Sequence, residues 1–263
     1  AGSSPQGLFK SKDGGINWES IDGFNNNSNW GIWTNNNSID FPKTPKLHSI
    51  IIDSSNKNHL YIGMSFGGVF ESLNSGKDWK PVNDGVLSNK IKNNNSKFNI
   101  DPHSVISHPY KPERLYQQNH FGIYRLDKPN KKWLRIGNNM PKEIGDIGFP
   151  ITFHPNDPNT IWVFPIENTD AWSKICPDGQ PAIYCSKDGG DTWFRQDIGL
   201  PMRNAWLTVL RKSLNTDSMN DAGVYFGTTS GSLWMSDNEG NSWRQIAIHL
   251  PRILSVETGL ILK

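Results

Sequence analysis

The segment Ser186–Trp193 reads SKDGGDTW, and it decides the fold because related segments recur along the chain. Three further copies match it closely and one more is degenerate: Ser11–Trp18 (SKDGGINW), Ser72–Trp79 (SLNSGKDW), Ser236–Trp243 (SDNEGNSW) and Leu126–Trp133 (LDKPNKKW). Each copy follows a short apolar segment typical of a β-strand, and the copies begin at positions 11, 72, 126, 186 and 236. A repeat of this length favours one four-stranded β-sheet per copy.

The residue types within each copy predict a tight structural turn. An Asp or Asn side chain can accept hydrogen bonds from nearby backbone N–H groups, and Gly supplies a backbone conformation with positive φ. The closing Trp is expected to cover the hairpin and pack between neighbouring sheets. The residues that we assign to these structural roles are Asp13, Asn74, Asp127, Asp188 and Asn238, with Trp18, Trp79, Trp133, Trp193 and Trp243.

This pattern resembles the Asp-box, or BNR, repeat of sialidases, of sortilin-type propellers and of the broader sialidase-like glycosyl hydrolase group. The resemblance spans nearly the whole chain, and it is also carried by Gly223–Thr229 (GVYFGTT), Ser230–Trp234 (SGSLW) and His249–Pro251 (HLP). It implies an all-β fold, namely a β-propeller of four-stranded blades joined by Asp-box turns. The family label implies a hydrolase, but Asp-boxes are structural turns that also occur in non-enzymes.

We expect residues 1–263 to form a single propeller domain with about five visible blades. Residues 1–20 supply only the outer half of a blade, and the tail Ile253–Val256 reads as an inner strand with no blade after it. Either the tail completes a fifth blade with residues 1–20, or one or more N-terminal blades of a six- or seven-bladed propeller are missing. We favour the second interpretation.

Composition narrows the classes of partner. The net charge is +2 and basic residues are not clustered, which argues against nucleic-acid binding. No apolar run is long enough to span a membrane, and the given sequence begins without a signal peptide, so the compartment stays open. Cys176 and Cys185 could pair across one loop or remain reduced thiols. We predict no cofactor, and the oligomeric state is left open.

Propeller topology places the loops that enter each inner strand on the face opposite the Asp-box turns. On that face, His48 and His103 occupy equivalent positions at the start of successive inner strands, and Asn119 and His120 lie on an adjoining loop. Such imidazoles could bind a metal ion, act as acid–base groups or bind a polar ligand. Alternatively, they could only hold neighbouring blades together. Two further candidate ligand-binding residues are Arg203 and Trp30, the latter as a stacking platform.

The sequence argues against a true sialidase. Such an enzyme needs an Arg cluster for a carboxylate and a Tyr–Glu nucleophile pair, yet only Arg203 and Arg252 map to the expected site face. Another glycosidase would need two carboxylates, and the candidates are Glu167, Asp170 and Asp146. We therefore expect a module that binds a carbohydrate or protein ligand. The alternatives are a glycoside hydrolase that uses the site-face histidines and carboxylates, and a structural or assembly propeller.

Overall fold

The structure is a computed structural model that describes residues 1–4, 7–34, 45–87, 100–167 and 174–260. The chain divides into two compact units. The first comprises Ala1–Phe121 with Leu126–Leu134, and the second comprises Gly122–Arg125 with Arg135–Lys263. The single-domain organisation stays a prediction.

The first unit begins with a two-stranded antiparallel sheet and two short helices. These are β1 (Phe9–Lys10), β2 (Glu19–Ser20), α1 (Asp22–Asn25) and α2 (Trp30–Trp33). A four-stranded antiparallel sheet follows in chain order: β3 (Leu47–Ile52), β4 (Leu60–Met64), β5 (Gly68–Ser72) and β6 (Lys80–Pro81). The next sheet, also in chain order, contains β7 (Pro102–His108), β8 (Lys111–Asn119), β9 (Gly122–Asp127) and β10 (Leu134–Arg135). The division between the two units runs through this sheet.

The second unit continues with two more four-stranded antiparallel sheets. The first of them is β11 (Gly148–Phe153), β12 (Ile161–Pro165), β13 (Ile183–Ser186) and β14 (Phe194–Gln196). The second is β15 (Val209–Thr216), β16 (Val224–Thr228), β17 (Leu233–Ser236) and β18 (Arg244–Ala247). Short 3-10 turns occur at Ile136–Asn139 and Pro177–Gly179. The prediction of an all-β, propeller-like fold built from four-stranded sheets is confirmed.

The order of burial across each sheet explains why these segments are strands. The middle strands β5, β12 and β13 are buried along their whole length, whereas the fourth strands β6 and β14 are largely exposed. Strands that are covered on both faces read as near-continuous apolar runs, as β12 does, whereas β5 ends in the buried polar residues Glu71 and Ser72. Buried aromatic residues dominate the two cores, with Phe24 and Phe70 in the first unit and Trp162 and Phe226 in the second.

Inner strands of successive sheets lie side by side within each unit, as in a propeller. In the first unit, the Val105 N–H on β7 donates to Ser49 Oγ on β3 at 2.9 Å. In the second unit, Thr216 Oγ1 on β15 donates to the Phe153 carbonyl at the end of β11 at 2.9 Å. The segment predicted as a lone inner strand, Ile253–Val256, lies parallel to β15 through a bridge between Ser255 and Lys212.

Four of the five repeated turns share one hydrogen-bond pattern. Ser186 Oγ accepts from the Gly190 N–H at 2.7 Å and donates to Asp188 Oδ1 at 2.8 Å. Asp188 Oδ1 also accepts from the Thr192 N–H at 2.9 Å. The corresponding bonds form in the turns that begin at Ser11, Ser72 and Ser236. The third-position Asp or Asn therefore closes the turn, and the first-position Ser, to which the sequence analysis gave no role, anchors it.

The degenerate copy folds differently. Leu126 replaces the anchoring Ser, and the Asp127 carboxylate accepts a hydrogen bond from Arg114 Nε on the neighbouring strand β8. Asp127 ends β9 and forms an ion pair with Arg114, and its role in closing this turn stays a prediction.

The closing Trp residues differ in burial, so they match the prediction that each packs into a core to different degrees. Trp79, Trp133 and Trp243 are buried and Trp193 is half-buried. Trp18 is 52 % exposed, although its indole Nε1 still donates to the Gly15 carbonyl of its own turn. The expectation that each Trp packs into a core is therefore wrong for Trp18, whose ring borders an apolar cavity of about 310 Å³ beside β1 and β3.

The helices α1 and α2 are additions to the predicted all-β fold. Their stabilisation is tertiary. Phe24 is fully buried and packs against Trp30, Trp33 and Trp79 with ring centroids 4.9, 6.4 and 5.6 Å away. Helices of four residues do not form on propensity alone, and packing of an apolar face supplies the missing free energy.

Candidate functional site

His48 and His103 occupy the same position in two successive sheets. The register of β3 with β4 shifts between Leu47 and Ser49, and that of β7 with β8 shifts between Pro102 and Ser104. Each histidine is thus the extra residue of a bulge at the start of an inner strand. Bulges re-aim a side chain and are frequent beside functional sites.

In the second of these sheets, His103 lies in a compact polar cluster with Asp101 and His120. The potential ligand atoms of the three side chains all lie within 4.8 Å of one another. His103 Nε2 is 3.8 Å from Asp101 Oδ2, and the two imidazole rings have centroids 5.6 Å apart at an interplanar angle of 73°. His103 is only 2 % exposed, whereas the Asp101 side chain is 18 % exposed and His120 is half-buried. The cluster is therefore buried at His103 and accessible to solvent at Asp101 and His120.

The turn after β8 fixes His120. The buried Asn119 accepts a hydrogen bond through Oδ1 from the Phe121 N–H at 2.6 Å, and the His120 N–H donates to the Asp101 carbonyl at 3.2 Å. Asn119 was predicted to bind ligand directly. The structure places its side chain inside the turn, where it orients the neighbouring His120.

The preceding sheet has the same backbone arrangement with different side chains. There the Ser65 N–H donates to the Lys46 carbonyl at 3.0 Å, just as the His120 N–H donates to the Asp101 carbonyl. Ser65 Oγ also accepts from the Lys46 N–H at 2.9 Å. The backbone of this turn is therefore compatible with Lys and Ser, and the fold does not require an Asp and a second His there.

The cluster lies away from the repeated turns. In both sheets, the start of the first strand and the end of the second strand lie together at the cluster position. The repeated segment instead follows the end of the third strand. In an antiparallel sheet these two places are at opposite ends. The separation of the candidate site from the repeated turns agrees with the sorting of loops by topology.

The other predicted ligand-binding residues have different surroundings. His48 is half-buried on β3. Trp30 is half-buried on α2 and packs edge-on against Phe24 in the core of the first unit. Arg203 is exposed on the segment between β14 and β15 in the second unit.

The three candidate catalytic carboxylates are likewise in distinct environments. Asp146 is buried and accepts two hydrogen bonds of 2.8 Å from Arg135 Nε and Nη2, and this hydrogen bonding raises the pKa of Arg135. Glu167 is half-buried, and its backbone N–H donates to the Ile175 carbonyl at 2.8 Å. Asp170 lies outside the described residues.

Both cysteines are buried free thiols. Cys176 Sγ donates to the Ala205 carbonyl at 3.0 Å, and burial raises the pKa of its thiol. Burial also raises the pKa of Cys185 to about 12. Neither thiol is therefore set up as a nucleophile or metal ligand at neutral pH.

The described part of the chain contains no helix with the length and the hydrophobicity that a membrane span requires.

Asp101 is a site residue that was not among those predicted from the sequence. It precedes β7 by one residue and carries no motif, so only its contact with His103 and the following turn makes it a site residue. Alignment with the preceding repeat places Asp101 at the position of Lys46, an unlike residue, so it does not mark Asp101 as a site residue.

Comparison with known proteins gives the fold. No sequence profile of a known protein family matches the chain. A xyloglucanase from Paenibacillus sp. is 23 % identical over 225 residues, which cover 75 % of this chain and 20 % of the xyloglucanase. The chain thus spans about a fifth of the length of that relative.

Similar solved structures indicate the same kind of fold. The GH74 xyloglucanase from Xanthomonas campestris superposes with a TM-score of 0.65 at 16 % identity, covering 92 % of this chain and 36 % of the other. The GH74 enzyme from Niastella koreensis gives 0.58 at 18 % identity, with 90 % and 34 % covered. A structure of YCF48 bound to a D1 peptide gives 0.52 at 13 % identity, with 92 % and 62 % covered. These similarities show a fold shared with β-propeller proteins.

Proposed function

We propose that this chain is a carbohydrate-binding propeller whose ligand site includes the Asp101–His103–His120 cluster. The observation that carries the proposal is this cluster, a partly exposed set of hydrogen-bonding groups at the end of the sheet opposite the repeated turns. Imidazole groups can both donate hydrogen bonds to sugar hydroxyls and accept them, and carboxylate groups can accept them. A concave site that is buried on one side and open to solvent on the other suits such a ligand. The similarity to proteins named xyloglucanases makes xyloglucan the first ligand to test.

The four regular turns have a separate, structural role in this proposal. We propose that they are Asp-boxes of the BNR type. Their Ser, Asp or Asn and Gly residues satisfy one another within the turn, so the motif holds hairpins and leaves ligand contact to the opposite end of the sheets.

Xyloglucan binding is tested best with a substitution that the fold already tolerates elsewhere. His120→Ser installs the residue that occupies the same turn in the preceding sheet, and Ser65→Ala is the matched control in that sheet. We expect calorimetric titration with xyloglucan oligosaccharides to show binding to the wild type and to Ser65→Ala, and binding at least about tenfold weaker to His120→Ser. Equal affinity in all three proteins, or no binding at all, would refute the proposal.

Glycoside hydrolysis is the second candidate function, and the similarity to xyloglucanases favours it. Among the described candidate acids, Glu167 suits acid–base chemistry better than Asp146, because the Asp146 carboxylate is buried and held by both nitrogens of Arg135. Release of reducing ends from xyloglucan by the wild type, abolished by Glu167→Gln, would establish it. Binding without turnover would assign the chain to the binding modules. With neither binding nor turnover, an assembly role remains.

A further inference from the structure

We propose that Asp101, His103 and His120 bind a single divalent transition-metal ion of the Zn²⁺ class. Two imidazole nitrogens and one carboxylate oxygen are a ligand set that Zn²⁺ accepts, and three protein ligands leave a fourth position for water or another oxygen ligand. This inference does not rest on carbohydrate binding, because a metal site of this kind needs no sugar to form.

The distances allow a metal ion after side-chain movements of up to about 1.4 Å. Zn–N and Zn–O bonds are about 2.0–2.2 Å long, so two ligand atoms on one tetrahedral ion are about 3.4 Å apart. The separation of 3.8 Å between His103 Nε2 and Asp101 Oδ2 must shorten by about 0.4 Å. The widest separation in the cluster, up to 4.8 Å, must shorten by about 1.4 Å. Side-chain rotation of Asp101 or His120, which are not fully buried, supplies this movement.

The arrangement also has the rigidity that a metal site needs. His103 is buried at a strand bulge, which fixes one ligand on the sheet. The backbone bond from the His120 N–H to the Asp101 carbonyl ties the other two ligands to each other. Ligands that are held on ordered elements before the metal binds lose little conformational freedom when it does.

The preceding sheet shows that these side chains are not demanded by the fold. It has the same bulge histidine, His48, and the same backbone bond, but Lys46 and Ser65 take the places of Asp101 and His120. A lysine ammonium repels a cation and offers no ligand, so the equivalent position in the sheet β3–β6 has His48 without the other two ligands. Among the described residues, the sheet β7–β10 brings all three ligands together.

The test uses the full chain, stripped of metal with a chelator, in calorimetric titration with ZnCl₂ and in absorption spectroscopy with Co²⁺ as a substitute. We expect one ion bound per chain and visible Co²⁺ bands that Zn²⁺ abolishes. The variants His120→Ser and Asp101→Lys copy the residues of the preceding sheet, and each should weaken Zn²⁺ binding about 100-fold or more, beyond the 10–100-fold that loss of an outer-shell partner costs.

The matched control is His154→Asn. His154 Nε2 lies 3.3 Å from Glu239 Oε1, so it is another histidine–carboxylate pair but belongs to no three-residue cluster among the described residues. Its substitution should leave Zn²⁺ affinity unchanged. The proposal is overturned if the wild type binds no Zn²⁺, or if His120→Ser and Asp101→Lys, folded by circular dichroism, bind it as tightly as the wild type does.

Discussion

Removal of the charge on Glu71 should weaken the fold in a way that depends on pH. The Glu71 side chain is 3 % exposed, and its Oε1 lies 2.9 Å from Lys128 Nζ and 3.0 Å from His59 Nε2. Lys80 Nζ lies 3.0 Å from Oε2. Burial alone would raise the pKa of Glu71, but the hydrogen bonds from Lys128, Lys80 and His59 outweigh it and lower the pKa from 4.5 to about 2.

This depressed pKa corresponds to a stabilisation that can be estimated. A difference of about 2.5 pH units at 1.36 kcal/mol each gives about 3 kcal/mol in favour of the folded state with Glu71 ionised. Because the folded-state pKa is the lower one, this contribution is fully present above pH 4.5 and is lost as the pH falls towards about 2. Glu71→Gln should therefore lower the free energy of unfolding by about 3 kcal/mol at pH 7, or the Tm by roughly 6–12 °C.

The assay is urea unfolding followed by far-UV circular dichroism, from neutral pH down to about pH 2.5. The difference between wild type and Glu71→Gln should shrink as the pH falls below 4.5, because the unfolded chain then binds a proton at Glu71 that the folded state must release. Glu19→Gln is the control, because Glu19 pairs with Lys12 on the surface and an exposed pair contributes less than about 1 kcal/mol. A difference between wild type and Glu71→Gln that stays constant with pH would refute the reasoning.

Three further outcomes follow from the packing. Ser186→Ala leaves a buried backbone N–H of its turn without its acceptor and should cost about 1–3 kcal/mol in urea unfolding. Gly137→Ala would place a Cβ in a clash with the Asp146 carboxylate and should lower the Tm sharply, whereas Gly31→Ala, which meets no atom within 4 Å, should leave it unchanged or raise it. Cys185, buried and with a pKa of about 12, should resist a thiol reagent in the native protein and react fully in denaturant.

The repeated turns were predictable because each carries its own hydrogen-bond donors and acceptors within eight residues. Ser186, Asp188 and Gly190 satisfy one another locally, so the pattern of residue types is sufficient to define the turn. The helices α1 and α2 could not be predicted in this way. Their four-residue segments become helical because Phe24 packs among Trp side chains that include the distant Trp79, and such contacts are invisible to local periodicity.

The candidate site was predictable only in part, for the same physical reason. The equivalence of His48 and His103 follows from the alignment of two apolar strands, and the structure shows them at equivalent bulges of β3 and β7. Asp101 enters the site through a tertiary contact, and no local signal distinguishes it from other loop acids. Asn119 shows the opposite case. It lies beside His120 in sequence, but its side chain accepts a hydrogen bond within the turn.

The two ends of the sheets constrain their side chains differently, and this contrast supports a site at the Asp101–His103–His120 cluster. At the repeated turns, four copies form the same hydrogen bonds because the backbone needs them. At the other end, the backbone bond between Lys46 and Ser65 is repeated between Asp101 and His120 while both side chains differ. The backbone bond therefore forms with either pair of side chains, and the hydrogen bond from the Lys46 N–H to Ser65 Oγ belongs to the preceding sheet. If the Asp and the second His only stabilised the blade, Asp101→Lys and His120→Ser would lower the Tm. If they serve a ligand, both variants should fold as stably as the wild type and lose binding alone.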